Sequence, residues 1–376
     1  MVSLGLLLLL GEIGIRLFVE NSEITPDVLR RHSLQYEPAL FARHIFKAKA
    51  QSVSHSFGNK KGLQWEINEK GYRGNNFNVS KPDNTIRLIV YGGSATFDTR
   101  ADKNSDWPHL LEISLRKAGF THIEVINSGA PGHTAVESVG KFFTEGFMFS
   151  PDYVLLYNAW NDMKYFNSNQ SFLRTVKPEQ HQFDYRIHNK NFLDQWLCNS
   201  SHLYNVLRRV YFKKKLKLGR EGIITSQDVQ LPITSLNPLQ FHQYQLAAEM
   251  FVDLAHNIGA KPILITQARL VHPENTEEQK KRIDYHHVGL NHKAIVETFS
   301  RQDDIIKDVG LRKKVPVLDA SQEFSGMDWV FHDHVHFQPE GSQAMAEFIS
   351  LKLQEILIDP SPTLNPPKGK NLTATP

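Results

Sequence analysis

The sequence predicts a three-layer α/β/α fold, in which a mainly parallel sheet lies between two layers of helices. Short apolar runs alternate with longer helical patterns from residue 86 to residue 358, and such alternation is typical of parallel sheets covered on both faces. The first run, 86–91, has no polar break after Arg87, as expected of a strand buried on both faces. Two glycines then end the run directly before Ser94, which places a polar side chain at the carboxyl edge of the sheet.

The remaining elements follow from the same alternation. Pro339 favours the first turn of the last helix, because its missing N–H has no partner there in any case. The predicted strands cover 86–91, 122–126, 153–157, 262–266 and 315–318. The predicted helices cover 107–118, 135–147, 241–258, 288–307 and 339–358.

The composition is that of a globular protein. A chain of 376 residues with 40% hydrophobic and 22% charged residues can bury a sizeable core in one large domain or two small ones. The net charge of +3 produces no strong field for nucleic acid, so we expect no nucleic-acid partner. The single cysteine, Cys198, excludes an internal disulfide and a cysteine-based zinc site, and its apolar neighbours favour a buried structural thiol.

The N-terminal segment, residues 1–18, is apolar apart from Ser3, Glu12 and Arg16. It is shorter than the about 20 residues that span a bilayer, and Glu12 and Arg16 are spaced to pair on one helix face. No basic segment precedes it and no small-residue cleavage site is evident after it. We interpret it as an N-terminal hydrophobic helix that anchors the protein in a membrane. A signal sequence and a buried amphipathic helix are the alternatives.

Three other segments depart from the alternation. Residues 19–81 show little periodicity, so we interpret them as a stalk and an N-terminal extension of the main domain, 82–358. Within this extension we expect Arg73 to pair with a carboxylate of the main domain. Residues 164–236 are predicted to form a cap-like insertion, and the tail, 359–376, is proline-rich and polar and is predicted to be disordered. A basic run within 208–220 is either a solvated helix face or a contact for anionic lipid or glycan.

Ser94, Asp333 and His336 are the candidate catalytic residues. Serine catalysis needs a nucleophile, an imidazole that takes its proton and a carboxylate that orients the imidazole. Asp333 and His336 can supply the last two from the loop that precedes the last helix. Two alternatives stay open: Ser94 can be a capping serine in a glycine turn, and the alternating histidines 332, 334 and 336 can be metal ligands.

Four short blocks follow one another along the chain: 91–94 (Tyr-Gly-Gly-Ser), 125–132 (Val-Ile-Asn-Ser-Gly-Ala-Pro-Gly), 159–162 (Ala-Trp-Asn-Asp) and 333–336 (Asp-His-Val-His). Each block alone is a weak signal, but in this order they resemble the SGNH, or GDSL-type, hydrolase superfamily over about residues 86–358. Gly93 replaces the aspartate of the GDSL motif and Ala159 replaces a glycine of the third block, but neither change removes a catalytic side chain.

This resemblance implies the flavodoxin-like SGNH fold and a role for each matched residue. Ser94 is the expected nucleophile, His336 its base and Asp333 the residue that orients His336. The backbone N–H groups of Ser94 and Gly132 and the side-chain amide of Asn161 are the expected oxyanion hole. The resemblance implies no metal and no organic cofactor. Gly132 can instead serve only a turn, and Asn161 can be a helix cap.

The expected function is therefore that of a serine esterase, which hydrolyses an O-acyl ester, such as an O-acetyl ester, of a glycan or a small molecule. An O-acyltransferase with the same triad and an inactive binding protein on the same fold are the alternatives. The anchor, together with the resemblance, predicts a membrane-anchored protein with an exported catalytic domain, periplasmic or extracellular.

Overall fold

The computed structural model describes residues 2–18, 35–50, 64–166 and 238–358, together with residues 193, 196–197, 200–204, 206–207, 210–211 and 236. Most of the predicted cap-like insertion, Cys198 and the predicted tail 359–376 lie outside the described residues.

A five-stranded parallel sheet forms the centre of the described structure, as predicted. In chain order the strands of the described residues are β1 (Tyr36–Ala39), β2 (Arg43–Phe46), β3 (Ile86–Gly92), β4 (Ile123–Asn127), β5 (Tyr153–Tyr157), β6 (Lys261–Ile265) and β7 (Val317–Leu318). The central sheet has the order β4-β3-β5-β6-β7, which is the flavodoxin-like order of doubly wound sheets. Its first strand along the chain, β3, therefore lies between β4 and β5, and the point where the order reverses lies beside the carboxyl end of β3.

Helices of the central domain cover both faces of the sheet. In chain order, the helices of the described residues are α1 (Val2–Phe18), α2 (Ser94–Phe97), α3 (Trp107–Lys117), α4 (Ala135–Glu145), α5 (Pro238–Asn257), α6 (Glu277–Lys281), α7 (Tyr285–Val288), α8 (His292–Lys313), α9 (Ala320–Phe324) and α10 (Pro339–Ile358), with short 3₁₀ turns at Gly146–Phe149 and Trp160–Tyr165. The apolar cluster on one face includes residues of α3 and α10, and the cluster on the other includes residues of α4, α5 and α8. The structure is therefore the three-layer arrangement that the alternation predicts.

The predicted boundaries hold to within a few residues, and the largest shift is at α8. The sequence pattern predicts a helix over 288–307, whereas α8 begins at His292 and ends at Lys313. Asn291 sets the start, because its side chain accepts a hydrogen bond from the Ala294 N–H at 2.8 Å. Lys314, with φ of 55°, ends the helix in the left-handed conformation.

The N-terminal segment is helical, as predicted, over α1. Among the described residues, no helix combines the length and the apolar character that crossing a bilayer requires. The extension after it contains an antiparallel hairpin, β1–β2, which the sequence analysis did not predict. Its four-residue strands are too short to show a clear period of two, and their hydrophobic residues, such as Phe46, pack on Phe97 of α2.

Arg73 joins this extension to the main domain, as predicted. It is buried, and its Nε lies 3.2 Å from a carboxylate oxygen of Asp106. Its two terminal nitrogens donate to the carbonyls of Phe97, Asp98 and Ala101 at 2.7 to 2.8 Å. Arg73 therefore holds residues 97–101, the segment at the end of the short helix that begins at Ser94.

Candidate active site

Ser94 lies at the carboxyl edge of the sheet, at the first residue of α2. The strand before it is buried from Arg87 onward, and the two glycines at its end, Gly92 and Gly93, are required by space. A Cβ on Gly92 would overlap the Thr96 hydroxyl and the Tyr157 carbonyl. A Cβ on Gly93 would lie 2.5 Å from Nδ2 of Asn161 and 2.9 Å from the His133 carbonyl oxygen. Only glycines therefore let the strand end this close to the loops after β4 and β5.

Ser94, His336 and Asp333 form a continuous line of hydrogen bonds. The Ser94 Oγ lies 2.8 Å from Nε2 of His336. Nδ1 of the same ring lies 2.9 Å from both carboxylate oxygens of Asp333. With the ring proton on Nδ1, the imidazole donates to Asp333 and accepts from the Ser94 hydroxyl, which is the arrangement of a nucleophile, a base and an orienting acid.

Backbone hydrogen bonds hold the loop that carries Asp333 and His336. The His332 N–H donates to the His336 carbonyl at 2.8 Å, which closes the loop. A carboxylate oxygen of Asp333 also accepts the His336 backbone N–H at 3.0 Å. The loop is fixed to the sheet by the Leu270 N–H, which follows β6 and donates to the His334 carbonyl at 2.9 Å. The acid and the base therefore share one rigid turn, although Ser94 is far away in sequence.

The Asp333 carboxylate is held in its ionised form. Burial by itself would raise the pKa of Asp333, but the charge of His336 and the hydrogen bonds from its ring and backbone lower that pKa well below its usual range. Arg100 adds a positive charge, since its Nη2 lies 3.9 Å from the carboxylate. A permanently ionised carboxylate stabilises the imidazolium that forms when His336 takes the serine proton.

Gly132 and Asn161, the other predicted oxyanion residues, lie in the loops after β4 and β5. Gly132 has φ of +87°, a conformation that favours glycine. The Asn161 amide donates to the His133 carbonyl at 3.0 Å, and Asn158 donates to the same carbonyl at 2.9 Å. A side-chain amide has two N–H bonds, so Asn161 can donate to a substrate oxygen as well as to His133.

Asp162, next to Asn161, joins the two loops of this side. Its carboxylate oxygens accept the Ala135 N–H, at the start of α4, at 3.0 and 3.2 Å. Burial raises the pKa of Asp162 to about 8; the bond from Ala135 lowers it, and the negative charge of Glu137 adds to the rise. The hydrogen bond to Ala135 ties the Asn161 loop to the helix that follows Gly132 and His133.

One cluster of side chains could hold a metal ion among the residues that the structure describes. Ligand atoms of Asp333, His334 and His336 lie within 4.8 Å of one another. However, both ring nitrogens of His336 already form hydrogen bonds, one with Ser94 and one with Asp333. The ring of His334 instead packs against Trp160, with 4.0 Å between the ring centroids. The arrangement favours a serine site over the strand of metal ligands considered from the sequence.

The structure brings all the predicted site residues to one edge of the sheet. Sequence reasoning missed Arg100 beside Asp333, and it also missed the role of Asp162. Arg100 lies outside the four blocks and reaches Asp333 only through the fold, so the sequence around it gave no signal. Asp162 did carry a signal, because an aspartate that follows Asn161 at the end of a buried strand is a candidate partner for a neighbouring helix start.

Comparisons with known proteins give only structural matches. No family model and no curated protein matches the chain. Matching solved structures include an acetyl xylan esterase, AlAXEase, with 12% identity over 71% of this chain and 100% of that one at a TM-score of 0.41. They also include a lipase/acylhydrolase from Enterococcus faecalis, with 15% identity over 72% and 96% at 0.41. A third is a GDSL-like lipase from Bacteroides thetaiotaomicron, with 12% identity over 72% and 88% at 0.38.

Similarities at TM-scores of 0.38 to 0.41 do not identify the function of this chain. The four sequence blocks lie together at one sheet edge. The chain resembles the SGNH hydrolases. The residues of the four blocks form a hydrogen-bonded serine, histidine and aspartate on one side of the site. An asparagine and a glycine of the blocks lie on the other side.

Proposed function

We propose that this protein is a serine ester hydrolase that acts through an acyl-enzyme. The observation that carries the proposal is the line of hydrogen bonds from Ser94 Oγ through His336 to Asp333, at 2.8 and 2.9 Å. Such a line activates a hydroxyl that is otherwise a weak nucleophile. The proposed substrate is an O-acyl ester, with O-acetyl esters of a glycan or a small molecule as the first candidates.

The chemistry begins with proton transfer to His336. As the Ser94 oxygen attacks the ester carbonyl, Nε2 of His336 takes its proton and Asp333 stabilises the resulting imidazolium. The tetrahedral intermediate then collapses, the alcohol leaves with the proton from His336, and the acyl group stays on Ser94. Water, deprotonated by the same imidazole, attacks the acyl-enzyme and releases the acid.

The oxyanion side stabilises the negative charge of both tetrahedral intermediates. The proposed donors are the backbone N–H groups of Ser94 and Gly132 and the Asn161 amide. Support for Asn161 comes from its position, because its Nδ2 lies beside Gly93, the residue directly before the nucleophile. Loss of one such donor costs about 3 kcal/mol in the transition state.

Ester hydrolysis by the full chain and by its Ser94→Ala variant tests this proposal. We expect turnover of p-nitrophenyl acetate, butyrate or octanoate by the wild type, and a loss of at least about 10⁴-fold in the variant. Ser105→Ala is the matched control, since within the described part of the chain its hydroxyl hydrogen-bonds to the Lys103 carbonyl at 3.4 Å and to no residue of the triad. This control should keep wild-type turnover.

A fluorophosphonate probe tests the nucleophile without knowledge of the natural ester. The probe forms a bond with an activated serine oxygen, with fluoride as the leaving group. Mass spectrometry of the labelled wild type should find the adduct on Ser94 and on no peptide of the Ser94→Ala variant. A folded wild-type protein that neither labels nor hydrolyses any of the three esters would contradict the proposal.

A further inference from the structure

The first helix, α1, exposes leucines in every direction. Residues 6–10 are five successive leucines, and each is between 49% and 69% exposed. Successive residues of a helix point about 100° apart, so five of them cover the whole circumference. A helix that is apolar on all sides is stable when it is surrounded by apolar material. The described part of the chain leaves these five leucines uncovered.

Further along α1, after the five leucines, the polar residues contact a second helical stretch around residue 201. The Glu12 carboxylate accepts hydrogen bonds from the Ser201 hydroxyl at 2.8 Å and from the backbone N–H groups of His202 and Leu203 at 2.9 and 2.8 Å. Arg16 completes the contact, since its Nε donates to Glu12 at 2.8 Å. The charges of this region are therefore satisfied between the two helical stretches.

Gly11, which has no side chain, lets α1 and the stretch around residue 201 approach closely. A Cβ on Gly11, next to Glu12, would lie 3.2 Å from a methyl carbon of Leu203. The Ser201 hydroxyl also accepts the Tyr204 N–H at 3.0 Å, so it caps the turn that Glu12 contacts. This is a built contact between α1 and the chain around residue 201.

The second stretch also carries its apolar residues outward. Among its described residues, Leu193, Trp196, Leu207 and Val210 are between 53% and 60% exposed. The two stretches thus meet through polar groups, with Glu12 partly buried and the Arg16 side chain 51% exposed, and both stretches present apolar side chains outward. The sequence next to this surface is basic, with Arg208, Arg209, Lys213, Lys214, Lys215, Lys217 and Arg220.

We propose that α1 and the described residues between 193 and 211 form one lipid-facing surface that docks on a bilayer containing anionic lipid. A lipid surface fits this unit because it covers apolar side chains without a specific shape, and because anionic headgroups complement the basic residues that the sequence carries within and directly after this stretch. A protein groove would cover one face of α1, whereas the leucines surround it. The proposal goes beyond the proposed hydrolase activity and does not depend on it.

Vesicle flotation of the full chain tests this surface. The probes are vesicles of phosphatidylcholine alone and vesicles with about one third phosphatidylglycerol, a content that gives the surface a negative potential. We expect the wild type and Ser94→Ala to float with the anionic vesicles to the same extent. The double variant Leu207→Glu/Val210→Glu should bind at least tenfold more weakly, because two charges enter the apolar surface.

Leu311→Glu/Leu351→Glu is the matched control, with the same added charge on two leucines of α8 and α10 that are 80% and 64% exposed. It should float like the wild type. Unchanged flotation of the Leu207→Glu/Val210→Glu variant would overturn the proposal, as would equal weakening in both double variants. Failure of the wild type to float, with stable oligomers in light scattering, would instead identify the surface as a contact between proteins.

Bromolipid quenching locates the second stretch directly and does not depend on a charged substitution. Bromine atoms in the acyl chains quench tryptophans that reach them. We expect quenching of the wild type in bromolipid vesicles, and its loss in the conservative variant Trp196→Phe. Equal quenching of both proteins would place Trp196 outside the lipid and contradict the role of this stretch.

Discussion

Asp333 and Asp162 lie on opposite sides of the same site, yet their environments shift their pKa values in opposite directions. Asp333 has a side chain that is 19% exposed, and it faces His336, Arg100 and two backbone N–H groups. Asp162 is 6% exposed, and its described partners are the Ala135 N–H and the more distant charges of Lys164 and Glu137. The first carboxylate is kept ionised and the second is held as the neutral acid up to about pH 8.

The difference in ionisation matches two different roles of the carboxyl groups. Asp333 must be charged, because it stabilises a positive imidazolium during every turnover. Asp162 only has to hold one backbone N–H and so position the loop that carries Asn161. Burial raises the pKa of both carboxyls, and the interactions with His336, hydrogen bonds included, outweigh burial at Asp333. Substitutions of Asp333 and Asp162, and of Asn161 and Gly93 between them, test this difference.

Asp333→Asn should have the largest effect, because a neutral amide neither stabilises the imidazolium nor favours the ring proton on Nδ1. We expect kcat to fall by about 10⁴-fold with little change in fold. Ester turnover and circular dichroism check this. Asp319→Asn is the control, since its carboxylate caps α9 and contacts no residue of the triad in the described structure. A loss of less than about tenfold for Asp333→Asn would remove Asp333 from the triad.

Asn161→Ala should lower kcat by about 10² to 10³-fold, the effect of losing one oxyanion donor. Asn158→Ala is a matched control, because Asn158 donates to the same His133 carbonyl at 2.9 Å. If Asn161 acts on the oxyanion, the Asn158 variant keeps far more activity while losing a similar hydrogen bond. Equal losses of kcat would show that both amides act only through His133.

Gly93→Ala should lower kcat by about 10 to 100-fold, because the added methyl group displaces the Asn161 amide and the His133 carbonyl. The substrate's KM should change less, since the methyl group affects the donors of the transition state. Gly119→Ala provides a backbone control on the surface, although its own φ of +104° costs some stability. A Gly93→Ala enzyme with wild-type kcat would show that Asn161 and His133 can move to accommodate the methyl group without loss of activity.

Asp162→Asn should change the pH dependence of stability more than activity. The folded pKa of about 8 is raised above the unfolded value, so between about pH 4 and pH 8 the folded chain binds a proton that the unfolded chain lacks. The free energy of unfolding therefore falls as pH rises through this window, by up to about 1.4 kcal/mol per pH unit. Asparagine does not titrate, so the variant lacks this pH-dependent contribution. Its free energy of unfolding should therefore rise relative to that of the wild type as pH rises.

Urea unfolding of both proteins at several pH values between about 5 and 8 measures this gain. A difference in unfolding free energy that stays constant across the window would mean that Asp162 is ionised in the folded protein. Activity at the same pH values is the second readout. A loss of kcat in Asp162→Asn at every pH would assign Asp162 a larger part in positioning Asn161.

Strands and helices of the main domain could be predicted because each carries its own signal. The run from Leu88 to Tyr91 is apolar at every position and is buried on both faces. The hairpin β1–β2 could not be predicted, because four-residue strands have no measurable period and pair through contacts made elsewhere. The same holds for Arg100, which meets Asp333 only after the sheet brings residues 100 and 333 together.

The α/β class, the order of the elements and the residue types of a serine site could be read from the amino-acid sequence, because periodicity, glycine turns and short blocks are local properties. The fold was needed to show that Ser94 and His336 lie 2.8 Å apart and that Gly93 must be a glycine to make room for Asn161. It also decided the opposite ionisation of Asp333 and Asp162. The physical reason is that burial and distance to other charges depend on residues far away in the chain, and folding alone brings them together.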